Sequence, residues 1–331
     1  MLPRDQAKGR WTVAPRIGYL LPTRERVMEG QHETGPLLAL AERAEALGYD
    51  SIWVGDSLLA RPRHDPMTLL AAVAARTRRV EMGTAVLLPA LRNPVLLAHQ
   101  WATLDRLAEG RLILGIGIAS DVQNIRDEFE AAGVPWDKRL GRMLEGLRLC
   151  RALWSGEPVE WDGRWRVKAG TLGPTPHRPG GPPVWVAGNA EPTIERVGRH
   201  FDGWFPNGPT PPQYAATWRA MQAAAQAAGR APGAITGAAY LTLAVDENAA
   251  RANERMDRFL AHYYGQRPDV MRKRQACFAG PLAAAREWLA AYAEAGVTHF
   301  ALRFAGEHER QLEQLARLRD DLRLPVPRHA G

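Results

Sequence analysis

The feature that most constrains this 331-residue sequence is a transition made again and again, from helical pattern through glycine to a short β-rich run. In "ALAERAEALGYDSIWVGD", Ala39, Ala41, Ala44 and Leu47 can share one buried helix face, Gly48 suits the left-handed position past a helix end, and Ser51–Val54 reads as a strand. "IERVGRHFDGWFPNG" repeats the unit, with Gly198 as the stop and Gly203–Phe205 as the strand. "AREWLAAYAEAGVTHFALRF" repeats it again, through Gly296 into His299–Arg303. Helices alternating with short apolar strands imply βα units and a parallel sheet.

The strand count selects the architecture. Ile17–Leu20, Ser51–Val54, Val80–Leu88, Leu112–Ile116, Val184–Ala187, Gly203–Phe205, Ala239–Ala244 and His299–Arg303 make eight, with helical patterns between them. Eight βα units in a chain of this size point to an α/β fold, a single (β/α)8 TIM barrel over 16–320. A doubly wound sheet is the alternative. The stretch of about 119–183, after strand 4, carries one clear helix and a proline- and glycine-rich tail, and is expected to add a hairpin and loop at the barrel mouth. His262–Gly280 also breaks the rhythm. Residues 1–15 and 321–331 read as flexible tails.

Composition narrows the class. The net charge of +7 is spread along the chain apart from Arg272–Lys273–Arg274, and no zinc finger, aromatic RNA-binding pattern or long basic tract accompanies it, so no nucleic-acid partner is expected. Cys150 and Cys277 have no metal-type partners at short spacing, which predicts no metal site and a reducing compartment. No stretch is long and apolar enough to cross a membrane, so a cytoplasmic protein is the expectation.

In a barrel, chemistry sits at the C-terminal ends of the strands. Strand 2 ends at "WVGDS", which places Trp53 in the wall of the site and Asp56 as its carboxylate: a hydrogen-bond acceptor for a ring N–H, a catalytic base if burial raises its pKa, or a loop cap. His64 and His99 have side chains able to move protons near neutral pH, with His64 the candidate and His99, within the helix after strand 3, read as a satisfied polar residue rather than a base. Strand 3 runs into "GTAVLLPALRNP", where Asn93 fits a helix N-cap before Pro94 and Arg92 faces either an anion or solvent. Strand 4 ends in "GIGIAS", a poor dinucleotide fingerprint because Ser120 stands at the third glycine; Gly115 and Gly117 read instead as close-approach positions. After strand 5, "AGNAEPT" sets Gly188, Asn189 and Thr193 at a helix start, able to hold a phosphate or simply to cap the helix.

Taken in order, "LGYDSIWVGDS", "GTAVLLPALRNPVLLA", "ATLDRLAEGRLILGIG", "FEAAGVPWDKR" and "PPVWVAG" resemble the bacterial luciferase-like family of flavin and F420 oxidoreductases over nearly all of Ile17–Phe304. The resemblance implies a barrel that binds reduced FMN or coenzyme F420 at its C-terminal end. It implies a non-proline cis peptide at Ala85–Val86, with Thr84, Ala85 and Val86 behind the ring. It places phosphate contacts on Gly188, Asn189 and Thr193 and, by a looser match, on Arg111, for which a salt bridge at the barrel's other end is the alternative. Many relatives carry histidine where this chain has Ser57, which cannot by itself act as acid or base near neutral pH. The expected activity is a monooxygenase using oxygen and reduced FMN, the flavin supplied by a separate reductase, on a small organic substrate. The alternatives are an F420-dependent dehydrogenase or reductase, and a sugar- or phosphate-metabolising barrel without flavin. Relatives imply a homodimer, for which the alanine-rich helix Met67–Arg76 is the candidate contact.

Overall fold

The computed structural model describes residues 4–5, 10–11, 14–231 and 233–322. Eight strands carry the fold: β1 (Arg16–Leu20), β2 (Ser51–Val54), β3 (Glu81–Thr84), β4 (Leu112–Ile116), β5 (Val184–Val186), β6 (Gly203–Trp204), β7 (Thr236–Val245) and β8 (His299–Phe304). Their hydrogen-bonded order is β6-β5-β4-β3-β2-β1-β8-β7, and pairing of β6 with β7 closes the ring. The protein is an eight-stranded parallel α/β barrel. Each strand neighbours the next in sequence because each pair is bridged by a helix, the connection a parallel pair requires. Every residue of β2, β4 and β8 is buried, as expected for strands covered on both faces.

By contact density the chain divides into two compact units. One holds the chain through Leu21, Arg43–Ile52 and everything from Gly188 on; the other holds Pro22–Glu42 and Trp53–Ala187. In the first, Phe300 of β8 lies opposite Ile17 of β1 and Ala239 of β7. In the second, Gly83 of β3 lies opposite Ile113 of β4, and Gly115 of β4 opposite Trp185 of β5.

The glycine stops divide by cause. Gly48 and Gly296 have φ of +80° and +114°, the conformation expected just past a helix end. Gly198 does not end its helix, which runs on from Glu191 to His200. A Cβ there would stand 2.7 Å from that of Ala224 and 2.9 Å from the Met221 carbonyl oxygen, so Gly198 is small because the helix Pro211–Ala227 packs against it.

The other departures are local. β3 stops at Thr84 rather than reaching Leu88, because the Ala85–Val86 peptide is cis and the chain turns there. A further strand, Cys277–Gly280, lies beside the C-terminal half of β7, with Cys277 opposite Thr242. It falls in the stretch read as irregular; four small or half-buried residues give no alternation to detect. The expected hairpin forms as Val159–Asp162 against Arg166–Gly170. Within the expected N-terminal tail, Arg4–Asp5 pairs with Arg10–Trp11. The rest of 1–13 and the C-terminal tail beyond 322 lie outside the described residues.

Candidate active site

The turn after β3 is built on one carbonyl. The Gly115 oxygen accepts from Thr84 Oγ1 at 2.6 Å and from Leu87 N at 2.8 Å. Ala85 and Val86, joined by the cis peptide, are the two residues looped out between those anchors. Ala85 N donates to the Val54 carbonyl at 2.7 Å and Gly117 N to the Leu87 carbonyl at 3.0 Å, so both neighbouring strands hold the bulge. Gly117 has no room for a side chain: a Cβ would lie 2.8 Å from Val86 Cγ2. Gly83 is small for a different reason, since its Cβ would meet the Trp53 ring at 2.6 Å. Trp53 itself is fully buried, with its ring centroid 5.3 Å from that of Trp185. It packs against Gly83, and Thr84 spends its hydroxyl on the backbone.

Asp56 is held by partners of its own. Oδ2 accepts from Leu88 N at 2.9 Å and Arg92 Nη1 at 2.5 Å, and Oδ1 accepts from Arg92 Nη2 at 2.9 Å. The fork is bidentate, and the carboxylate is 1% exposed. Burial pulls the Arg92 guanidinium down, but the bonds and charge of Asp56, with Asp65 behind, hold it above its ordinary value. Asp56 is therefore a charged anchor joining the end of β2 to the segment after the bulge. Asn93 starts the helix Pro94–Leu107, its side chain accepting from Val95 N at 2.9 Å and Leu96 N at 3.4 Å.

Ser57 begins a loop wrapped around a second buried carboxylate, Glu128, which lies on the helix Gln123–Ala131 in the insertion. Ser57 Oγ and Ala60 N donate to Glu128 Oε2, each at 2.7 Å, and Leu58 N donates to Oε1 at 3.0 Å. Ser57 Oγ in turn accepts from Arg61 N at 2.9 Å. Ser57 is thus a loop anchor. Sequence reading missed Glu128 because its partners lie 68 to 71 residues away. His64 is tied elsewhere, its Nε2 lying 2.9 Å from the His32 carbonyl oxygen.

Arg111 sits at the N-terminal end of β4. Nε donates to the Ala108 carbonyl, Nη1 to Thr77 Oγ1 and the Val80 carbonyl, and Nη2 to the carbonyls of Ala74 and Thr77, all within 2.9–3.2 Å. It closes the C-terminal end of the helix Pro66–Arg76, whose last carbonyls have no partner within the helix. The phosphate role suggested for Arg111 is replaced by this capping, at the end of the strand away from the bulge.

In the other unit, the segment after β5 leads into the helix Glu191–His200. Gly188 takes φ of +123° and its carbonyl accepts from Trp204 Nε1 at 2.8 Å; Asn189 is exposed and Thr193 is half-buried. Ala190 stands at the N-cap without a side-chain hydrogen bond. The first-turn N–H groups are thus left uncapped by a side chain, a geometry suited to an anionic oxygen. The peptide bulge beyond β3 offers a backbone wall to a flat ring, and this helix start, in the other unit, offers uncapped N–H groups to an anion. Among the described residues, no group of three His, Cys, Asp or Glu could hold a metal, and no helix is long and apolar enough to cross a membrane.

A closed parallel barrel with a peptide bulge beyond β3 defines the fold class. The family model described as luciferase-like monooxygenase matches residues 16–321, and the chain belongs to that family. The chain is 35% identical over 236 residues to the F420-dependent glucose-6-phosphate dehydrogenase of Kineococcus radiotolerans, covering 68% of each protein. It is 34% identical to the enzyme of the same name from Mycobacterium avium, where the match spans about half of either chain, 51% and 52%. Among solved structures it is similar to the monooxygenase RslO1 from Streptomyces bottropensis, with a TM-score of 0.79 and 26% identity over 91% of this chain and 98% of that one. The protein is a flavin- or F420-dependent oxidoreductase of the luciferase-like superfamily.

Proposed function

We propose that the protein is an F420-dependent dehydrogenase or reductase acting on a small organic hydroxyl or carbonyl compound, in place of the FMN monooxygenase that the sequence first suggested. The observation that carries this reading is the 35% identity, over 68% of the chain, with a dehydrogenase that uses F420. When bound, such a ring gives or takes a hydride. The chain's own residues do the rest. The Ala85–Val86 bulge backs the ring, and Trp53 and Trp185 pack against each other in the same unit. The helix start at Gly188, Asn189 and Thr193 is suited to a phosphate. Asp56 acts through Arg92 and the Leu88 amide by fixing the segment that follows the bulge. With Asp56 and Ser57 both engaged, neither is assigned as the proton-transfer group.

The likeness to RslO1 keeps oxygenation with FMN as the second reading. Separate titration of the purified chain with F420 and with FMN tests the two. Affinity for F420 at least tenfold tighter than for FMN, with oxygen-independent reduction of bound F420 by an alcohol, is the expected result. Tight FMN binding without F420 binding would return the protein to the monooxygenases.

A further inference from the structure

The hydrogen-bonded loop after β2 ends by delivering a cation onto the wall of the site. Glu128 accepts from Ser57, Ser57 accepts from the Arg61 amide, and the Arg61 carbonyl accepts from Arg63 Nε at 3.0 Å. The Arg63 guanidinium comes to rest over Gly55. A methyl group at Gly55 would overlap Nη1 and lie 3.2 Å from Cζ, and the same methyl would be 3.7 Å from the Ala85 carbonyl oxygen. The guanidinium and the first residue of the cis peptide therefore flank one spot. Gly55 is the first residue past β2, and the strand's alternation carried one step further puts it on the face of Trp53. That is the face on which Trp53 meets Trp185 and Gly83. Arg63 thus lies one step beyond Trp53 on that face, beside the bulge.

A neutral ring that accepts a hydride becomes an anion, whether it is a flavin or a deazaflavin. We propose that Arg63 is the cation that faces the bound ring and holds its reduced, negatively charged form. This rests on the proposed function only in requiring such a ring, not in requiring F420. Opposite charges a few ångströms apart attract strongly where water is largely excluded, so the effect falls on the reduced state. The absence of a side chain at Gly55 is what lets the guanidinium lie there.

The test is a pair of anaerobic titrations of the full chain, with oxidised and with reduced F420, on the wild type, Arg63→Met and Arg63→Lys, repeated with oxidised and reduced FMN. Arg63→Met is expected to weaken binding of the reduced form at least tenfold and of the oxidised form less than threefold. Each tenfold change in that ratio lowers the two-electron potential of the bound ring by about 30 mV. Arg63→Lys, which keeps the charge, should recover most of the difference. Should the methionine variant melt early, Arg63→Gln reads the same ratio. Equal weakening of both forms, or no change in either, would overturn the assignment. Binding of FMN alone would refute the F420 reading while the FMN pair still judges Arg63. Binding of neither ring by the wild type would overturn both.

Discussion

Within the unit Pro22–Glu42 and Trp53–Ala187, the two ends of the same strands use charged side chains in different ways. At the N-terminal end, Arg111 donates to the end of one helix, to the turn after it and to the Ala108 carbonyl, its acceptors including backbone carbonyls and a threonine hydroxyl. At the C-terminal end, Asp56 and Glu128 bind loop amides and other side chains, and through them position Arg92 and Arg63. Charges at the first end close the fold, whereas those at the second place other groups. Barrels place their chemistry at this second end.

Three perturbations can break or sharpen that contrast. Asp56→Ala should have the largest effect, because among the described residues it leaves Arg92 buried with Asp65, 3.6 Å away, as its countercharge. Removing one partner of a buried pair costs about 3–5 kcal/mol, to be read by urea unfolding, and cofactor affinity should fall with it. A loss of affinity without a loss of stability would instead make Asp56 a direct ring contact. Arg111→Ala should cost about 2–3 kcal/mol, from charged hydrogen bonds and the carbonyls they leave behind, with cofactor affinity unchanged in the same titration. A loss of affinity there would dissolve the contrast.

The mildest perturbation changes no residue. His299 begins β8, fully buried and 2.7 Å from Ser51 Oγ, and burial, then the charge of Arg16, holds its imidazole well below its usual 6.5. The unfolded chain takes up a proton below about pH 6.5 that the folded chain refuses. Stability from His299 is therefore complete above that pH and declines as pH falls. Thermal melting from pH 7.5 to 5 should show this decline, and His299→Gln should flatten it. An unchanged slope in the variant would assign the acid sensitivity to other groups.

Much of the frame was legible because its causes are local. Helix-to-strand alternation marks βα units, Gly48 and Gly296 take the φ values their positions require, and Asn93 caps its helix within three residues. The cis peptide at Ala85–Val86 was legible only through resemblance. Gly198 looked like the other stops, and only the packed helix reveals its cause. Asp56 was read as a site carboxylate from its place at a strand end, but its partner Arg92 is 36 residues further on. Glu128 and Arg63 carried no local signal.

Periodicity, caps and glycine stops depend on neighbours a few residues apart, so the sequence by itself determined the barrel class and the strands that end at the site. Which carboxylate is neutralised, which loop wraps around Glu128 and which arginine comes to rest on Gly55 depend on side chains brought together only when the strands close. Electrostatic and hydrogen-bond energies follow distance in space rather than along the chain, and the tertiary structure alone decided those pairings.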